Sequence, residues 1–262
     1  MKKISMFLAA CTLVAGLAFT LTSCEKHNPD DDSGLIDDNG NGNGNETPGN
    51  NGDSSLHASL QGSNYYLIQL DGTTYEKISS KVVADLRPDD QAKFLYVWES
   101  TYTGGETSGK NFYGVVEGWI CLRVTSVGWS GAGWYINNKD GLAPQWAKMK
   151  DLANGTSSYY LHVGYKGAAG VAHILGFGYG DEYKFAVGDG SLEDAGKNYN
   201  AIAPISNGGK FVAGEWNEYE IKLSDMGIDF SKDIADGNVF WCLSGGVTGT
   251  QIDLDAVFVY KK

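Results

Sequence analysis

The sequence predicts an all-β fold: a two-sheet jelly-roll sandwich with one short helix. Three observations carry that expectation. The chain holds 36 Gly, 15 Tyr, 10 Phe and 7 Trp against only 20% charged residues, a balance that suits strands joined by tight turns. Short runs of apolar residues, many of them alternating, recur from residue 65 to the C-terminus. Gly and Asn, which tolerate positive φ, separate the runs. Folding would involve roughly 205 residues, enough for a single well-filled sandwich.

The first sixty residues read differently. Lys2 and Lys3 precede an apolar stretch from about Ile4 to Phe19, the layout of a secretory signal. It is too short for a spanning helix, which needs about 20 apolar residues. Leu21-Thr22-Ser23-Cys24 closes it and resembles the lipobox of bacterial lipoproteins. That resemblance implies cleavage before Cys24, lipidation of Cys24 and a membrane anchor made durable by several acyl chains. An ordinary secretory signal with an incidental Cys is the alternative. Glu25, rather than Asp, follows the Cys, and Asp30, Asp31 and Asp32 come soon after. These acids are similar to the export signals of Bacteroidota surface lipoproteins, which implies the outer membrane and its outside face.

Residues 24–57 are expected to be a disordered tether. The run Asn39-Gly40-Asn41-Gly42-Asn43-Gly44-Asn45 is low-complexity, and such a segment buries too little apolar area to offset its ordering entropy. As a flexible chain it would span about 30 Å. Asp37, Asn39, Asn41 and Gly42 match the start of an EF-hand loop, but Pro48 stands where the bidentate Glu belongs, so the pattern fails. The expected organisation is a signal at 1–23, the lipidated Cys and tether at 24–57, and a β-sandwich domain at 58–262.

Within that domain the expected strands are Tyr65–Leu70, Lys93–Trp98, Gly118–Thr125, Gly133–Ile136, Tyr159–Tyr165, Ala172–Phe177, Tyr183–Val187, Glu218–Leu223, Val239–Leu243 and Ile252–Tyr260. Turns are expected at Thr103-Gly104-Gly105, Asn154-Gly155, Asn207-Gly208-Gly209 and Ser244-Gly245-Gly246, and a helix around Gln145–Leu152. The formal charge of −12 becomes −14 once Lys2 and Lys3 leave with the signal. An acidic surface repels nucleic acid and anionic lipid. With Cys11 in the signal and Cys24 lipidated, Cys121 and Cys242 either pair outside the cytoplasm or stay as buried thiols.

The strands Tyr159-Tyr160-Leu161-His162-Val163 and Trp216-Asn217-Glu218-Tyr219-Glu220-Ile221, with the closing Ile252-Asp253-Leu254-Asp255-Ala256-Val257-Phe258, resemble galactose-binding-like carbohydrate-binding modules over residues 60–262. The resemblance implies glycan binding without catalysis, and a structural calcium ion to which Asp253 or Asp255 could contribute.

Alternation along strands proposes where glycan would bind. With Leu95, Val97, Ile120, Leu122, Val124, Leu161 and Val163 inward, an outer face would carry Tyr96, Trp98, Trp119, Arg123, Tyr160 and His162 if these strands share one sheet. Aromatic rings with a few polar groups suit sugars. The competing reading makes these aromatics a second core. Trp129 and Trp134 flank a loop of small residues and are either binding residues or lids on the core.

Enzyme signatures are poor. There is no HExxH, GxSxG or E-x-D-x-x-E, and Gly176-Phe177-Gly178-Tyr179-Gly180 lies in strand sequence rather than a dinucleotide loop. Glu99 and Glu117 are candidate acids, but nothing in the sequence makes them converge. His162 and His173 fall on strands expected to be neighbours. The expected partner is therefore a glycan, with membrane contact through the anchor alone and outer-membrane glycan-uptake proteins as possible associates. A glycoside hydrolase or polysaccharide lyase on the same scaffold is the alternative, and a structural or adhesive surface protein the second.

Overall fold

The computed structural model describes residues 56–89, 92–98, 102–125, 131–137, 144–234, 236–245 and 247–262. Along the chain lie β1 (Ser63–Gln69), α1 (Gly72–Ile78), β2 (Val82–Asp85), β3 (Lys93–Val97), β4 (Tyr102–Lys110), β5 (Val116–Val124) and β6 (Gly131–Asn137). Then come α2 (Pro144–Lys148), β7 (Tyr159–Lys166), β8 (Ala172–Tyr179), β9 (Asp181–Gly188), β10 (Ser191–Asp194) and β11 (Lys197–Asn200). The chain closes with β12 (Asn217–Lys222), β13 (Asp236–Gly245) and β14 (Gln251–Lys261). The fold is an all-β, two-sheet jelly-roll sandwich.

Each strand expected from alternation is present. α2, continued by a 3-10 turn over Met149–Asn154, occupies the expected helix. α1 is an addition, nucleated by Asp71, whose side chain accepts from the Thr74 amide at 2.6 Å, a standard N-cap. Thr103-Gly104-Gly105 is not a turn. It lies inside β4, which pairs with β5 residue for residue from Tyr102↔Val124 to Lys110↔Val116. Ser244 and Gly245 likewise belong to β13.

The first sheet runs β12-β7-β14-β1-β2, with β5 pairing the first half of β14 and β4 pairing β5. The second runs β3-β6-β13-β8-β9. Their facing sides form the main core, which includes Tyr66, Ile68, Leu122, Leu161, Val163, Trp134, Phe177, Phe240, Cys242, Val257 and Val259. Trp134 is 1% exposed, so it is a core residue and neither a loop ligand nor a lid. Cys242 is a buried free thiol, so it does not bridge to Cys121. Burial pushes its thiol far above the usual range.

The outer side of the first sheet is also a core. Tyr65, Leu67, Phe258 and Tyr260 pack there under Leu60 and Ile78. Two β-bulges set which residues face which way. In β14 the register shifts between Asp255 and Phe258, where Ala256 takes φ 51°; Val257 and Val259 thereby join the main core while Phe258 and Tyr260 face outward. In β13 the register shifts between Asn238 and Phe240, with Val239 as the extra residue. A bulge of this kind puts two residues opposite one. Asn238 and Trp241 then share the outer side of the second sheet, three positions apart.

Candidate functional site

The outer side of the second sheet holds an open groove of about 390 Å³, whose lining includes Trp98, Trp241, Asn238, Asp236, Glu182 and Lys184. Its floor is made of glycine. A Cβ added to Gly131 would stand 1.9 Å from Cε3 of Trp98, and one on Gly176 would stand 1.9 Å from Cε2 of Trp241. One on Gly178 would meet Cη2 and Cζ3 of Trp241 at 3.0 Å. Both indoles therefore lie across bare backbone, Trp98 on β6 and Trp241 on β8. No other residue leaves room for a ring against the sheet. Trp98 is partly exposed, while Trp241 is 7% exposed and forms the bottom of the groove.

Polar groups are fixed around the rings. The Tyr96 hydroxyl donates to Asn238 Oδ1 at 3.2 Å, and the Tyr135 hydroxyl donates to Asp236 Oδ2 at 2.7 Å. Lys184 sits between Asp194 Oδ2 at 3.1 Å and Glu182 Oε1 at 3.5 Å. Asp181, also in the lining, is held below the usual carboxylate range by its hydrogen bond to Lys232 at 2.6 Å. One end of the same face is closed: Ile174 and Ala186 are fully buried there, beside the residue that follows the β10–β11 hairpin, Ala201, which bridges Ala186.

The expected single aromatic face is divided between two sheets. Tyr96 and Trp98 belong to the groove. Trp119, Arg123, Tyr160 and His162 belong to the first sheet, on its covered side. His162 is 0% exposed. It stacks on Phe258 at 4.7 Å and 4°, with Nδ1 2.6 Å from the Ala256 carbonyl and Nε2 3.0 Å from Glu218 Oε1. No ligand can reach it. Trp119 is 7% exposed, donates from Nε1 to Asp253 Oδ1 at 2.9 Å and lies under Lys166 Nζ, 4.5 Å from the ring centre. Half-buried Arg123 pairs in register with Gln251 and Thr103, on the other sheet from the groove. Trp129 and Glu99 lie outside the described residues. His162 and His173 are in different sheets, and His173 faces the main core, so they do not form a pair.

The residues named for calcium are engaged otherwise. Asp253 accepts from Trp119 and from Gln251 at 2.7 Å. Asp255 accepts from the backbone amides of Phe112 at 3.1 Å and Ala256 at 2.7 Å. Among the described residues no group of three or more His, Cys, Asp or Glu could hold a metal ion. Glu117 points its carboxylate at the Gly72 and Thr73 amides, at 2.8 and 3.1 Å, on the first-sheet side of the molecule.

Alternation alone missed Trp241 and Asn238. The available signal was glycine at every second position, 131/133 and 176/178, beside strands bearing Trp. Glycine on one side of a strand marks the close approach of another group.

No family model and no curated protein matches the chain. Solved structures resemble it at low identity. SGBP-B from a complex xyloglucan utilization locus in Bacteroides uniformis is 14% identical with a TM-score of 0.35, over 66% of this chain and 48% of that one. The chain thus spans about half the length of that protein. A family 11 carbohydrate-binding module from Clostridium thermocellum, in complex with a β-1,3-1,4-mixed-linked tetrasaccharide, is 9% identical with a TM-score of 0.35, over 66% and 91%. The C-terminal family 22 carbohydrate-binding module of Clostridium thermocellum Xyn10B is 10% identical with a TM-score of 0.33, over 68% and 90%.

Proposed function

We propose that the domain binds glycan, without catalysis, in the groove on the outer side of the second sheet. The observation that carries this reading is the pair of tryptophans laid flat on glycine backbone. An indole held this way cannot rotate to suit a partner, so little side-chain entropy remains to be lost on binding. The exposed part of Trp98 offers an apolar surface to the C–H side of a sugar ring, while Asn238, Asp236 and Glu182 offer acceptors and donors to hydroxyls.

A hydrolase reading needs one carboxyl kept protonated opposite a second. In the groove Asp181 is held ionised by Lys232. Among the described residues, the carboxyls raised by burial, Asp71 and Asp255, belong to the other side of the sandwich. This distribution favours binding over bond cleavage.

The chemistry of Lys2, Lys3, the apolar stretch and Cys24 supports a lipid-anchored protein exported to the outer membrane, with the sandwich at the cell surface. Weak single sites on many anchored copies would act together by avidity. Outer-membrane glycan-uptake proteins are the partners this arrangement suits.

Affinity electrophoresis of the protein through gels containing plant, microbial or host polysaccharides tests the proposal. Retardation by at least one polysaccharide is expected, and Trp98→Ala should weaken it by about tenfold or more, as truncation of a central aromatic anchor does. Retardation that is unchanged in Trp98→Ala would place binding elsewhere.

A further inference from the structure

We infer that the groove selects uncharged glycans and rejects polymers carrying uronate or sulfate groups. This rests on the glycan-binding reading above and deepens it.

Charge at the contact surface sets the selection. Among the described lining residues there are three carboxylates, Asp181, Glu182 and Asp236, and one ammonium, Lys184. Among the described lining residues, that ammonium is the one an anionic polymer could pair with. Lys184 is already placed between two carboxylates, at 3.1 Å from Asp194 and 3.5 Å from Glu182, and its side chain is only 19% exposed. A second described cation near the groove, Lys232, is committed to Asp181 at 2.6 Å. Glu182, whose side chain is 63% exposed, faces any arriving chain as an unburied negative charge. Releasing either lysine for a uronate would leave a carboxylate of the protein without its partner. The rest of the molecule adds to the effect, since the formal charge of the chain is −12. Hydroxyl groups meet no such barrier. The carboxylates accept from them, and the tryptophans need only an apolar ring side.

Charge selection also predicts how salt acts. A neutral ligand held by stacking and hydrogen bonds should bind about equally at low and high ionic strength. Any weak attachment of an anionic polymer should improve as salt screens the repulsion.

The test is affinity electrophoresis of the protein in matched gels. One set contains neutral polysaccharides such as xyloglucan, mixed-linkage β-glucan and galactan; the other contains polygalacturonate, alginate and a sulfated glycan. Glu182→Lys and Trp98→Ala run alongside. The expected result is retardation by a neutral polymer, at least about tenfold weaker retardation by every anionic one at low salt, as exposed like charges a few ångströms apart impose, and a gain on the anionic gels in Glu182→Lys. Retardation of the unaltered protein by an anionic polymer as strong as by any neutral one, lost in Trp98→Ala, would overturn the charge inference and leave the groove as the binding site. Retardation by a neutral gel that persists in Trp98→Ala, or none by any gel, would overturn the groove reading and this inference with it.

Discussion

Two tryptophans, Trp134 in β6 and Trp98 just past the end of the neighbouring β3, show how one residue type serves opposite ends. Trp134 is sealed in the main core, edge-on to Phe240 at 5.3 Å. Trp98 lies on the far side of the same sheet and remains partly exposed. Trp134→Ala should therefore cost about 3–5 kcal/mol of stability by the cavity it leaves. Trp98→Ala, at a partly exposed position, should cost less than that and act chiefly on binding. Urea melts of both variants, set beside their gel retardation, separate the two roles.

Two buried ionisable groups give stability opposite pH dependences. His173 is buried, and neither ring nitrogen has a hydrogen-bond partner; burial pushes its pKa from 6.5 down to about 4. It stays neutral in the fold, so it penalises folding by a growing amount as pH falls from about 6.5 to about 4, to about 3 kcal/mol in all. Asp255 runs the other way. Burial raises its pKa from 3.8 to about 7, against the pull of the Ala256 and Phe112 amides. Its penalty grows as pH rises from about 4 to about 7, to about 4 kcal/mol. The two slopes nearly cancel between pH 4 and 6.5, so the combined contribution of these two groups should be nearly flat there. His173→Leu should gain relative stability as pH falls, and Asp255→Asn as pH rises. Denaturant titrations at stepped pH measure both, and differences that stay flat would show that neither group is held in the stated form.

At the scale of the element, glycine and the bulge make the groove. Gly176→Ala should displace Trp241, because the new methyl would occupy the ring's place. A loss of about 1–3 kcal/mol is expected from the overpacking, together with a changed tryptophan emission spectrum and weaker glycan retention. Strand positions were legible in the sequence because alternation is local: Phe94–Val97 and Leu161–Val163 read correctly within their own strands. What was not legible is which strands share a sheet. β5 and β7 both flank β14, whereas β3 lies in the other sheet, and no pattern inside Trp119–Val124 or Tyr159–Val163 reports that pairing. The β13 bulge was hidden for a related reason. Strict alternation through Val239–Leu243 puts Val239 with Trp241, and only the pairing of Asn238 with Tyr135 and of Phe240 with Trp134 shows that Val239 is the extra residue.

At the scale of the molecule, among the described residues both sides of the first sheet are filled, whereas the outer side of the second sheet carries the groove. Cys242 lies between the sheets at 0% exposure. It should be silent toward thiol reagents in the native protein and react at the rate of global opening. Fast labelling of native protein would mean that the core opens locally at β13.

His57 enters the sandwich over the covered side of the first sheet, edge-on to Phe112 and Tyr113 at 5.5 Å and 3.8 Å from Glu218. The groove opens on the opposite side of the molecule. On the proposed lipid-anchored reading, the chain before His57 would hold the domain from the side away from the groove, and a long polymer could cross the opening without meeting the attachment point.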